Sequence, residues 1–148
     1  MDEVHQPHDS FFKKLFQVVE EAGSFMFHYL PEDVKAIVNL DTLKVSSDSF
    51  IDEKLKRFYS DALYTIDIKG QEGYLFLLLD HKSSRDKRVS YQLYRYINNI
   101  WGTALENNQD KLPAIISLVL YHGKQKWGID RHLSSIIDIP DDRLKKYI

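Results

Sequence analysis

A single stretch constrains this chain more than any other. Residues 74–86 read YLFLLLDHKSSRD, in which Tyr74 to Leu79 are apolar or aromatic throughout and the run then stops on Asp80, His81 and Lys82. A short continuous apolar run of this kind is a strand buried inside a sheet. Either the strand leaves the core at Asp80, or the core holds charges rigidly at its end. The preceding residues favour a sheet. SDALYTIDI at 60–68 alternates and is rich in strand formers, and KGQEG at 69–73 carries two glycines between the runs.

Read as a hairpin around KGQEG, with its centre near Gln71, the two runs bring Asp61 nearly opposite Asp80. Opposed residues on antiparallel strands have β-carbons about 4.5–5.5 Å apart. Alternation puts Asp80 and Lys82 on one face and His81 on the other. Two carboxylates so close repel one another and lose solvation, and a divalent cation offsets both effects. Oxygen ligands from Asp suit Mg²⁺, which commonly takes one or two protein carboxylates together with water and phosphate. Lys82 can orient a water and stabilise developing negative charge. An acid on one strand and an acid-x-lysine on its neighbour form a phosphodiester-cleaving arrangement. The bland alternative is an ordinary Asp-x-Lys where a strand ends.

The rest of the chain supplies a frame. With 148 residues, one domain with a real core is expected over 1–148. The apolar and charged fractions, 43% and 28%, are those of a soluble globular protein. The absence of cysteine excludes disulfides and thiolate metal sites, and the histidines lack zinc-like spacing. The polar start MDEVHQPHDSFFKK is not a signal peptide, and no apolar run approaches the roughly 20 residues of a membrane span. A cytoplasmic protein without membrane contact or organic cofactor is expected. Net charge is −2, so any nucleic-acid role rests on a local patch and not on the global field. DDRLKKYI at the end opens a helix capped by Asp141 or Asp142 with no stop signal after it, which reads as the N-terminal part of a longer protein.

Periodicity predicts a helix over 9–30, capped by Asp9 or Ser10, and a second short helix or turn within 32–43. Residues 50–58 are an ambiguous strand-like run. Residues 89–108 are the clearest helix, with Val89, Leu93, Tyr96, Ile97, Ile100, Ala104 and Leu105 on its apolar face. PAIISLVLY at 113–121 reads as a strand buried on both faces. The resulting order, αβββαβ, is a mixed α/β sheet covered by helices.

Together, HDSFFKKLF at 8–16, FYSDALYTI at 58–66, YLFLLLDHKSSRD at 74–86, YQLYRYINNIW at 91–101 and LPAIISLVLYHGKQKW at 112–127 resemble the PD-(D/E)XK nuclease superfamily. Within it, they resemble the recombination-promoting nucleases, also described as YhgA-like putative transposases. The resemblance implies a restriction-endonuclease-like αβββαβ core and a Mg²⁺-dependent DNA endonuclease, with Mn²⁺ able to substitute. It makes Asp61 the first acid, Asp80 the second, where the group usually has Glu, and Lys82 the basic residue, where many members have Gln. It also implies the main-chain carbonyl of His81 as a further metal ligand.

Gln92 lies beside the apolar face of the next helix, where similar nucleases have a polar residue touching the site or the DNA; a solvated glutamine is the alternative. Arg85, Lys87 and Arg88, followed by Arg95, are the basic patch nearest the acids, read either as phosphate contacts or as a solvated run. Glu20 is expected on the surface, and His122 as a loop hydrogen-bonder. DNA is the expected partner, and a homodimer is one assembly left open. Two other readings stand beside the nuclease: a non-catalytic nuclease-fold module that binds DNA or protein, and a mobile-element accessory protein.

Overall fold

The computed structural model describes residues 14, 16–46, 59–80, 88–107, 110–121 and 132–147. Helix α1 spans Val19–Tyr29, with Glu20 and Glu21 in its first turn, where the helix dipole favours acids. Ala22 and Met26, one turn apart, are fully buried, and Leu30 ends the helix just ahead of Pro31. A one-turn helix, α2, covers Glu32–Lys35.

The short helix or helical turn expected over 32–43 is confined to α2, and strand β1, Val38–Val45, takes the rest of that span. VNLDTLKV mixes polar and apolar residues in a pattern that suits either state, and pairing with the neighbouring strand decides it. Its register shifts between Asn39 and Lys44. There the Thr42 hydroxyl accepts the Asp67 amide proton at 2.9 Å, keeping the backbone donor satisfied through the irregularity. Residues 50–58 lie outside the described residues.

Strands β2, Tyr59–Ile68, and β3, Gln71–Asp80, form the central hairpin. The turn is Lys69–Gly70 alone, with φ of 50° and 85°. Two positive φ values make the tight connection whose twist matches paired strands, and glycine adopts one of them without strain. Gly73, expected in the turn, already pairs with Ile66 inside the ladder. A β-carbon there would press on the Ile68 side chain and stand 3.0 Å from the Ala114 carbonyl oxygen, so its absence lets the next segment dock closely.

Helix α3, Val89–Glu106, carries the chain from β3 to β4, Ile115–Tyr121, which runs parallel to β3. Parallel neighbours need such a crossover. Asn107 caps the helix, and the Trp101 indole donates to the Pro113 carbonyl at 2.8 Å, fixing the helix end over the entry to β4. Among the described strands the order is β1-β2-β3-β4. This is the α/β arrangement expected, a mixed sheet with helices against it.

The sheet has two apolar faces. Phe16, Ala22, Met26 and Leu30 cover the face made by Tyr64, Ile66, Leu75 and Leu77. Val89, Tyr96 and Ile100 of α3 cover the other, over Leu63, Phe76 and Leu78. β3 is thus buried on both faces, as its composition predicts. β4, expected to be equally buried, is only half-buried because it is the edge among the described strands. Leu105, assigned to the apolar face of α3, is exposed.

Candidate active site

The two acids singled out by sequence are brought to one face of the hairpin, but not opposite each other. Asp61 pairs with Leu78, and Asp80 pairs with Tyr59. The tight Lys69–Gly70 turn shifts the pairing by two residues from that expected around KGQEG. A two-residue shift preserves the side on which each residue falls, whereas a one-residue shift would have separated the acids. Leu78 and Asp80 are two apart on β3, so Asp61 and Asp80 occupy diagonal positions of the α3-covered face. Diagonal neighbours stand about 7–8 Å apart, not about 5 Å.

The surroundings explain why these positions are unusual. Asp61 is half-buried and continues the row of Leu63 on β2, while Leu78 on β3 is fully buried. Asp80 pairs on its other side with Tyr121, so the ends of β3 and β4 lie together. The apolar face thus ends in two acid positions, held by a ladder of uninterrupted pairs. Two carboxylate positions on one rigid face suit a hard cation with oxygen ligands, and Mg²⁺ needs no more protein ligands than these. Among the described residues no group of three or more His, Asp and Glu gathers, so the fit to a metal rests on this pair.

Helix α3 adds polar atoms to the same side of the sheet. The carbonyl oxygen of Gln92 is buried and has no hydrogen-bond partner among the described residues, and the same holds for the hydroxyls of Ser90 and Ser117. Ser117 lies beside Phe76 in the ladder, under α3. A buried polar atom left unpaired costs about 1–3 kcal/mol, so each of these atoms calls for a partner such as an ordered water or a ligand. Gln92 was legible as a polar residue beside an apolar stripe. Ser90 and Ser117 were not, because a small hydroxyl residue in a helix start or a strand carries no signal of its own burial.

Arg88, just ahead of α3, and Arg95 on it are exposed, and Glu20 is on the surface as expected. His81, Lys82, Arg85, Lys87 and His122 lie outside the described residues. A shallow pocket of about 400 Å³, lined by Asp41, Lys44, Asp67 and Glu72 among others, sits at the turn end of the hairpin, remote from Asp61.

A family model described as "Putative transposase, YhgA-like" matches residues 6–148. The chain belongs to this YhgA-like family. Among curated relatives it is similar to recombination-promoting nuclease RpnC of Escherichia coli (strain K12), 35% identical over 118 residues, or 80% of this chain and 39% of the relative. It is 33% identical over 120 residues to recombination-promoting nuclease RpnD of Escherichia coli O157:H7, covering 80% of this chain and 46% of that protein. It is equally similar to the inactive recombination-promoting nuclease-like protein RpnE of strain K12, 32% identical over 118 residues, with 80% and 40% covered. The chain therefore spans about two-fifths of the length of these relatives. No solved structure matches it. Relatives named as nucleases and one named inactive lie at similar identity, so membership alone does not decide activity; the site residues must.

Proposed function

We propose that this chain is the nuclease domain of a metal-dependent DNA endonuclease that hydrolyses phosphodiester bonds in the cytoplasm. The observation that carries the proposal is the pairing of β2 with β3, which sets Asp61 and Asp80 on one sheet face at the end of an otherwise apolar surface. Asp61 and Asp80, with the main-chain carbonyl of His81, would hold Mg²⁺ or Mn²⁺ in its place. Such an ion would supply positive charge against the scissile phosphate and make water more acidic. Lys82, two residues beyond Asp80, orients the attacking water and stabilises charge on the phosphate oxygens as the P–O bond breaks. The Gln92 carbonyl oxygen, buried without a partner among the described residues, accepts a hydrogen bond from a polar group entering the site. Arg85, Lys87 and Arg88 hold flanking phosphates.

A second reading is a nuclease-fold module that binds DNA or a protein without cutting. Two relatives whose names call them inactive, at 32% and 37% identity, favour it. Supercoiled plasmid incubated with the protein and Mg²⁺ or Mn²⁺ separates the two. We expect nicked or linear product that disappears with EDTA. Asp61→Asn should lose both cleavage and calorimetric Mn²⁺ binding while its circular dichroism stays unchanged. Unaltered Mn²⁺ affinity in that variant would remove Asp61 from the site. DNA binding without cleavage would establish the second reading.

A further inference from the structure

The outward side of α3 has a composition unlike the rest of the molecule. Arg88, Tyr91, Tyr94, Arg95, Asn98 and Asn99 are all exposed along its first three turns. Tyr91 is 48% exposed and Tyr94 54%. No acid falls between Arg88 and Glu106, in a chain with 22 Asp and Glu and a net charge of −2. The stripe is therefore a local basic and aromatic surface on an otherwise slightly acidic protein.

The other exposed aromatics among the described residues have local partners. Phe27 lies under the Lys35 ammonium at 5.1 Å, Tyr29 stacks on Phe25 at 4.4 Å, and Tyr147 lies under Lys146 at 5.0 Å. Among the described residues, neither the Tyr91 nor the Tyr94 ring meets another ring or a cation. Positions three apart on a helix have β-carbons about 5–6 Å apart, so the two rings are neighbours with open faces. The buried side of this helix packs Val89, Tyr96 and Ile100 on Leu63 and Leu78, the floor beside Asp61. One helix width, roughly 10 Å, thus separates the tyrosine pair from the acid-bearing face.

We infer that Tyr91 and Tyr94 stack on successive unpaired bases of a DNA single strand while Arg88 and Arg95 attract its phosphates. The inference rests on the DNA-processing reading above and refines it. The preferred substrate carries unpaired nucleotides next to the scissile bond, as at an end, a flap or a bubble. The charge of the stripe selects a polyanion, and its open ring faces select unpaired bases, whose π-faces a duplex hides. Stacking of this kind tolerates any base sequence.

The test is fluorescence anisotropy in EDTA, using a labelled oligo-dT strand and a blunt duplex of the same length. The variants are Tyr91→Ala/Tyr94→Ala and Tyr91→Phe/Tyr94→Phe, at exposed positions where neither change disturbs the core. We expect the alanine pair to lose about tenfold or more in affinity for oligo-dT, with duplex affinity unchanged, and the phenylalanine pair to bind like the wild type. Equal affinity of the wild type and the alanine pair for oligo-dT would overturn the inference. So would equal losses on strand and duplex, or failure of the phenylalanine pair to retain binding. Unchanged DNA binding with a smaller sedimenting species would mark the stripe as a protein interface instead. Because no metal is present, the result is independent of whether the protein cuts: absent plasmid cleavage refutes the nuclease reading, and these binding arms refute the stacking one.

Discussion

The chemistry proposed for this chain turns on a lysine whose environment the sequence alone defines. Lys82 follows Asp80 by two residues. Lys82→Gln retains length and hydrogen bonding but removes the charge. Its expected effect is a single-turnover cleavage rate lower by on the order of 10²–10³-fold, with DNA affinity at fixed salt nearly unchanged. Wild-type cleavage by Lys82→Ala would strip the residue of any role. At this scale the sequence was informative about identity and less so about distance. Asp61 and Asp80 were legible as a pair because folding the two runs into a hairpin brings them to neighbouring places on adjacent strands. Their diagonal offset was not, because KGQEG offers more than one place to turn, and only the positive φ of Lys69 and Gly70 selects the tightest. Parity protected the inference: the error was two residues, so the acids kept their common face.

At the scale of elements, β3 was marked by its continuous apolar run and α3 by its helical periodicity. Pattern failed for β1, whose charged and apolar residues fit a helix as well as a strand until β2 supplies a partner. What joins α1 to the sheet was equally invisible. The Tyr64 hydroxyl, buried at the centre of β2, donates to the Phe16 carbonyl at 2.6 Å, 48 residues away in sequence. Burial holds this phenol well above the ordinary tyrosine range. The folded state therefore keeps a proton that the unfolded chain releases above about pH 10, and stability falls as pH rises beyond that point. Tyr64→Phe should cost about 0.5–1.5 kcal/mol at neutral pH, by removing this buried hydrogen bond. It should also lose less stability than the wild type between neutral and strongly alkaline pH. Urea titrations across that range check both, and parallel losses in the two proteins would show that Tyr64 titrates alike folded and unfolded.

For the molecule as a whole, a net charge of −2 means that DNA must be gathered by a patch. Replacing Arg85, Lys87 and Arg88 with Ala should weaken binding uniformly across sequences. Each lost phosphate contact should lower the slope of log affinity against log salt by about 1. An unchanged slope would mean that these charges are only solvated. Among the described residues no helix is long and apolar enough to cross a membrane. The topology also sets an order of events in time. β2 and β3 pair without interruption across a two-residue turn, whereas β3 ends at Asp80 and its parallel partner begins at Ile115. Hairpins close in about 1–10 μs, while a distant parallel pairing must first meet the entropy of its loop. We expect the hairpin to be native-like in the folding transition state and β4 to join later. Truncations at Leu77 and Leu118 should then give high and low φ-values respectively, and equal values would reject this order. The strands bearing both acids would be in register before the edge of the sheet exists, so errors in late assembly would leave the spacing of the acids intact.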